Sequence, residues 1–394
     1  MIEENEAGED TWQAPKKIWF FTPSWHIGIG KGLLIWFLII SFIPLVTVSY
    51  INYMNAFKGL TIVAEKSLVT TSKLRTENIN NFFHDLSSSL DIQAELESNV
   101  EFLSSLQKDF LKSNQTIFDY VHSDRWEKIT SRKRNELGKI CDIQGYYNFQ
   151  FINTNGDVIF SLLNTEDLGS NVYSGKYSQS LYSKTCKKVL SDGGQIFSDL
   201  EMYPPSGKKI TGMIAQPMLD KEGNKIGLIV IQITMDQLNR ITQDEVGLGE
   251  TGVSYVIGED LMLRSLTRFN DGSMILHVKI KNDATRRWVE SRQQLLYGQD
   301  IKNERYLDGK VSTYPNNKNV WVYGIFRNIS ALDKLGVHWA VFEEIDQTEA
   351  FAYTREFVKT VKFSLVIIFL IVFVISIIVT KRFVDPLKEL SACR

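Results

Sequence analysis

Two stretches of this chain carry no charge and little polarity, and they constrain everything between them. Residues 32–57 hold no Asp, Glu, Lys or Arg, and residues 33–51 are mostly Leu, Ile, Phe, Val and Trp. Residues 363–380 form a second run of eighteen in which only Ser364, Ser376 and Thr380 carry any polarity. A bilayer core of about 30 Å needs about 20 apolar residues on a helix, so each run is long enough to span. A cleaved signal peptide opens near the N-terminus with a short basic region and ends at small residues. Here about thirty mostly polar residues come first and Tyr50-Ile51-Asn52-Tyr53-Met54 follows. Two transmembrane helices are therefore expected, at 32–54 and 363–380. Pro44 inside the first is tolerable, because neighbouring groups can satisfy the carbonyl it frees.

Charge alone indicates the topology only weakly, since Lys58, Lys66, Arg355, Lys359 and Lys362 lie on the outward side of the two spans. A long segment between spans translocates largely regardless of its charges, so the short flanks count most. Lys16, Lys17 and Lys31 precede the first span, and Lys381, Arg382 and Lys388 follow the second. Both tails, 1–31 and 381–394, are expected in the cytoplasm, with about three hundred residues facing outward. Over the whole 394 residues, 44 Lys+Arg balance 46 Asp+Glu, which gives no electrostatic pull toward nucleic acid. Cys141, Cys186 and Cys393 are too few for a disulfide scaffold and fit no zinc spacing, so no metal or cofactor is expected. Pairing of Cys141 with Cys186 in an oxidising compartment stays open.

The outward segment opens on a helical period. Leu68, Ile79, Phe82, Phe83, Leu86, Leu90, Leu96, Val100 and Leu103 recur mostly at three- and four-residue steps, and 58–118 contains no Pro. This predicts a spine helix over 55–135, with a break near Ser87-Ser88-Ser89 or else two shorter helices in a bundle. Such a spine must lie against folded modules or against a second copy of itself.

After Gly145 the period changes to that of strands. Residues 147–152 and 158–160 flank the hairpin turn Asn155-Gly156, and 209–217 and 225–234 flank a turn at 220–224. The order then repeats about 105 to 110 residues later: 253–257 and 261–265 around Gly258-Glu259-Asp260, then 320–326 and 338–343. Two tandem copies of one small module account for this, at 136–240 and 241–350. Residues 351–362 read as a helix linking the second copy to the second span. The fold class is α+β: a long N-terminal helix and two antiparallel-sheet modules flanked by two transmembrane helices.

Catalytic groupings are absent from the sequence. The five His show no metal-ligand spacing, and no Ser sits in a nucleophile elbow, so an enzyme is not expected. Gly247-x-Gly249-x-x-Gly252 matches the dinucleotide fingerprint as a string. It stands before a β-rich segment rather than between strand and helix, so it reads as an inter-module turn. Glu343, Glu344 and Asp346 alternate along a strand and read as a solvated strand end rather than a converging site.

The layout of tail, span, long helix, tandem modules and second span resembles the double Cache extracellular sensors of bacteria. Residues 247–258 look like the opening of that family's membrane-proximal module, 262–269 like its second strand, and 336–346 like its end. Val384-Asp385-Pro386-Leu387-Lys388-Glu389-Leu390 resembles the start of a HAMP signal-relay helix, and the likeness covers 55–394. The resemblance implies PAS-like modules, the first membrane-distal and the second membrane-proximal, in a bacterial inner-membrane receptor of chemotaxis type. It further implies a small-molecule ligand, a homodimer, and cytoplasmic partners reached through an output domain beyond residue 394. A histidine kinase or nucleotide cyclase output, and a scaffold with no ligand, are the alternatives.

In that family the distal module usually holds the ligand, which points to the aromatic-rich stretch 146–211. The candidate ligand residues are Tyr147, Tyr173, Tyr177, Tyr182, Phe197, Asp199, Tyr203 and Thr211. A secondary pocket is expected at Arg264 and Arg268. Amino-acid-binding members carry an Arg-x-x-Trp pair, but residues 182–197 contain neither Arg nor Trp, so that ligand class lacks motif support.

Overall fold

The computed structural model describes residues 29–269, 272–296, 308–350 and 352–392. Residues 1–28 of the expected cytoplasmic tail, and Cys393 at the chain end, lie outside the described residues. The chain divides into two compact units, residues 1–55 with 356–394, and residues 56–355.

The first unit contains the start of helix α1 (Ile29–Glu95) and most of α10 (Ala352–Ala392). Both are long and apolar enough to cross a membrane. Trp36, Ile40, Ile43, Val366 and Ile378 are more than half exposed, an apolar surface that water does not tolerate at this extent. Phe42 meets Phe369 edge-on at 5.3 Å. Pro44 is accommodated without ending α1, and α10 continues through Pro386 to Ala392.

In the second unit the spine is segmented. Helix α1 runs unbroken through Ser87-Ser88-Ser89, and the break falls at Leu96, whose ψ of 117° is extended. Helices α2 (Glu97–Ser113), α3 (Ile117–Val121) and α4 (Asp124–Gln144) follow, in place of one helix to 135. The sequence marks these stops by capping chemistry. Asn114 takes the left-handed conformation at φ 51°, while Thr116 and Ser123 accept the backbone N–H groups of Asp119 and Trp126.

Strands β1 (Asn148–Asn153) and β2 (Val158–Ser161) are followed by helix α5 (Leu181–Asp192). Strands β3 (Ile196–Tyr203), β4 (Lys209–Leu219) and β5 (Lys225–Thr234) complete an antiparallel sheet of order β2-β1-β5-β4-β3. Helix α6 (Asp236–Thr242) leads to β6 (Val253–Gly258), α7 (Asp283–Leu296), β7 (Ser312–Pro315), β8 (Trp321–Asn328), α8 (Ser330–Asp333), β9 (Trp339–Asp346) and α9 (Gln347–Ala350). The second sheet has the order β6-β9-β8-β7. Strand for strand this repeats β1-β5-β4-β3, so the tandem repeat is real at the level of topology. The expected partner strand at 261–265 is reduced to an isolated bridge, Ile257 with Leu263. Leu261 at φ 66° turns the backbone out of the extended region there.

Each sheet has an inner face toward the spine and an outer face away from it. Phe83 of α1 meets Phe197 of the first sheet at 5.5 Å and Trp339 of the second at 5.6 Å, so one core serves both modules. The outer face of the first sheet packs Tyr182, Cys186 and Val189 of α5 against Leu228 and Val230. That of the second packs Ala284 and Trp288 of α7 against Ala340 and Phe342. Cys141 belongs to the inner core and Cys186 to the first outer cluster, and both are free thiols, so they do not pair.

The strand end at Glu343 and Glu344 is not solvated, which corrects the expectation. The two side chains do point to opposite faces, but both are buried. Glu343 turns inward, where Arg75 of α1 donates to its Oε1 at 2.7 Å and Thr71 to its Oε2 at 3.0 Å. Glu344 turns outward. The sequence cannot display these partners, because Arg75 lies 268 residues before Glu343.

Candidate functional site

The first module's outer face brings part of the expected aromatic site together. Tyr203 lies 5.3 Å from Tyr182 and 6.0 Å from Tyr177, ring to ring. Its hydroxyl donates to Asp167 Oδ2 at 2.8 Å, and Gln150 donates to the same oxygen at 2.8 Å. Thr165 donates to Asp167 Oδ1 at 2.5 Å, so the wholly buried carboxylate is held from both sides by the chain itself. Burial and the Asp167 charge push the Tyr203 phenol far above its ordinary range, which keeps it a donor. Thr211 accepts from Gln232 at 3.0 Å beside Ser206. Among the described residues, Gln150 Oε1, Gln232 Oε1 and the Tyr182 hydroxyl find no hydrogen-bond partner.

The other expected residues stand outside that cluster, and Phe197, Asp199 and Arg264 line a separate cleft of about 420 Å³. Tyr147 is half-buried with the Lys209 ammonium 4.7 Å from its ring, and Tyr173 is exposed, with Lys187 at 5.9 Å. Phe197 faces the spine, on the opposite side of the sheet from Tyr203. Asp199 lies at the junction of the modules, where Arg264 grips it through Nε at 2.8 Å and Nη2 at 3.0 Å, and Trp339 Nε1 donates at 3.1 Å. Arg264 also holds Asp260 at 2.9 Å, so its charge is answered within the chain. Arg268 donates to the Gly249 carbonyl at 2.6 Å and pairs with Glu245 at 3.4 Å, fastening the 247–252 turn. Glu349 caps the same turn by accepting the N–H groups of Glu250 and Thr251 at 2.6 and 2.7 Å.

The second module's outer face is different: it lines a half-open cavity of about 370 Å³. Val253, Tyr255, Leu263, Phe269, Ile280, Val320 and Val322 wall it, and Glu344, Asn282, Thr267, Asn316, Lys318 and Asp346 supply polar groups. Apolar walls with a few convergent polar groups are what a small-molecule pocket needs, and the volume lies in that range. At its floor, Glu344 Oε1 accepts from Tyr255 at 2.7 Å, Tyr314 at 3.0 Å and Asn282 at 3.2 Å. Asn282 is itself oriented, because its Oδ1 accepts the Thr285 N–H at the start of α7. Gly324 stands opposite Glu344 in the β8–β9 ladder, and a Cβ there would lie 2.0 Å from the Tyr314 hydroxyl. Only glycine lets that phenol reach the carboxylate. Burial pushes the Glu344 carboxyl above its ordinary value, although the donated hydrogen bonds pull the other way.

No family model matches the chain, and no curated protein matches it either. The chain is similar to several solved sensory domains. The ligand-binding domain of the Pseudomonas aeruginosa chemoreceptor PctB, in complex with L-Gln, is 12% identical, with a TM-score of 0.43, over 73% of this chain and 92% of that one. The sensory domain of the Campylobacter jejuni chemoreceptor Tlp3 is 12% identical, with a TM-score of 0.44, over 74% and 97%. The extracellular domain of vpHK1S-Z8, described as a histidine kinase, is 9% identical, with a TM-score of 0.49, over 75% and 96%.

Sequence reasoning missed Asp167, Gln150 and Gln232 in the first module and Tyr255, Asn282, Tyr314 and Glu344 in the second. One signal was available for some of them. Gln150 and Gln232 are polar residues inside strands whose neighbours are apolar, and a buried polar residue needs a partner.

Proposed function

We propose that this chain is the sensory part of a bacterial transmembrane receptor of the double Cache kind, which binds a small extracellular ligand and relays the event inward. The modules are 136–240, membrane-distal, and 241–350, membrane-proximal; 32–54 and 363–380 cross the inner membrane. The observation that carries the reading is the walled cavity of about 370 Å³ on the outer face of β9, a strand that ends at Asp346 while α10 begins at Ala352. A ligand seated there bears on the strand that leads, within a few residues, into the helix of the second span. The segment 384–390 extends that helix as a HAMP start, serving an output domain of chemotaxis type. Two such helices per chain favour a homodimer, with Leu74 and Ile92 exposed on α1 to meet the second copy.

A second reading concerns the first module, where buried Gln150 Oε1 and Gln232 Oε1 lack donors among the described residues. It makes Tyr177, Tyr182, Tyr203 and Thr211 a distal ligand site, with Asp167 at its centre.

The test is a thermal-shift screen of the full chain in lipid nanodiscs against small metabolites. A ligand that binds only the folded state raises Tm by mass action. A chimera carrying a reporter output domain should respond to the same compound, and three glycines inserted at Ala352 should abolish the response without changing affinity, because they add backbone freedom to the relay. A chain that no small molecule stabilises overturns the sensory reading.

A further inference from the structure

Resting on the sensory reading above, we infer that the second-module cavity takes a small organic ammonium ion, its nitrogen seated against Oε2 of Glu344 and its carbon body against the apolar walls.

Glu344 is only 5% exposed, yet the groups that hold it are two phenols and one amide, all neutral. All three bonds converge on Oε1, and among the described residues Oε2 accepts none. No Lys, Arg or His among the described residues pairs with this carboxylate. Arg287 lies over the Tyr314 ring at 5.6 Å and is paired with Asp283 at 3.2 Å. A buried carboxylate is costly unless it is both hydrogen-bonded and paired with opposite charge. Here the chain supplies the first and leaves the second to whatever enters the cavity that Glu344 lines.

The arrangement is built rather than incidental. Gly324 makes room for the Tyr314 hydroxyl, and the Thr285 N–H orients Asn282, so three donors are aimed at one oxygen. Donors to a carboxylate favour its ionised form. Among the described residues that line the cavity, Asp346 and Glu250 stand against one cation, Lys318, a balance that favours entry of positive charge. Val253, Tyr255, Leu263 and Val322 leave the remaining volume to hydrocarbon. The ligand class that satisfies floor, mouth and walls together is an ammonium group on an apolar body. Its seating would put charge and contact on β9 itself.

The experiment is isothermal titration of the full chain in nanodiscs, at neutral pH. The probes are butylamine, 2-phenylethylamine and 1,4-diaminobutane, set against butyrate and 3-phenylpropionate as anions of like size. At least one ammonium ion should bind saturably and neither anion should. Glu344→Gln should weaken that binding roughly tenfold or more, the scale of one charge-assisted hydrogen bond. Val253→Trp, which fills the cavity and leaves Glu344 intact, should abolish it, so the inference survives if one of the two variants fails to fold. Ammonium binding that both folded variants leave unchanged overturns the inference. So does a chain that ignores every ammonium probe yet is stabilised by another small molecule, and that outcome leaves the sensory reading standing.

Discussion

The two sheets share one strand order but their outer faces differ in content. In the first module a buried acid, Asp167, is held through both oxygens by Tyr203, Gln150 and Thr165, and Tyr182 fills the space beside it. In the second, Glu344 is held through one oxygen only and faces a cavity of about 370 Å³. The inner faces, by contrast, are alike: both press on the spine and share the Phe83, Phe197 and Trp339 cluster. The lesson is a division of labour within a repeat. The face that holds the modules to the helix is preserved in kind, and the opposite face is free to close on itself or to stay open.

The strongest challenge to this comparison targets the shared inner core. Phe83→Ala should cost about 3–5 kcal/mol, the usual scale for truncating a buried aromatic, and should lower the melting of both modules in one transition. Calorimetry showing two transitions, only one of them shifted, would mean that the modules do not share a core. Arg75→Ala should cost nearly as much, about 3–5 kcal/mol, because it strands Glu343 as an uncompensated buried charge. Arg75→Ala with Glu343→Gln should recover much of that loss.

Tyr203→Phe probes the closed face. It removes one donor from Asp167 and should cost about 1–3 kcal/mol, while leaving affinity for any second-module ligand unchanged in titration. Lost affinity would move the ligand to the first module.

Glu344→Gln probes the open face through pH. Burial raises the Glu344 carboxyl above its ordinary 4.5, so its contribution to stability is present below that value and fades as pH rises through the folded-state pKa. Relative to Glu344→Gln, the native protein should therefore lose stability as pH climbs above about 4.5. Parallel curves of denaturant midpoint against pH for the two proteins would show that Glu344 is not buried as described. The smallest effect is expected at the module junction. Asp199 has φ 64°, which Asn tolerates well, so Asp199→Asn should cost about 1 kcal/mol by weakening the Arg264 pair, with no change in ligand affinity.

Much of this fold was legible because period and punctuation are local properties. The two long apolar helices announced themselves by 26 consecutive uncharged residues and by the run at 363–380, and β4 and β5 by apolar strands around a turn. Strand β3 was not, because Asp199 interrupts it with a bulge, and β7 is only four residues ending in Pro315. The break at Leu96 escaped because no Gly or Pro marks it. At the sites, aromatic content drew attention to 146–211, yet it could not separate Phe197, turned to the spine, from Tyr203, turned away. That distinction follows from strand register, which residues far apart decide. Glu344 was misread for the same reason: Tyr255, Tyr314 and Asn282 come from three separate elements, and nothing in their spacing announces that they meet.

The most direct test of the open-and-closed account is hydrogen–deuterium exchange on the full chain in nanodiscs, with and without a small molecule that raises its Tm. Slower exchange should concentrate in β6, at the start of β8 and toward the end of β9, with β1 and β3 unchanged. Protection confined to β1, β3 and the α5 region, with the second sheet unaltered, would contradict it.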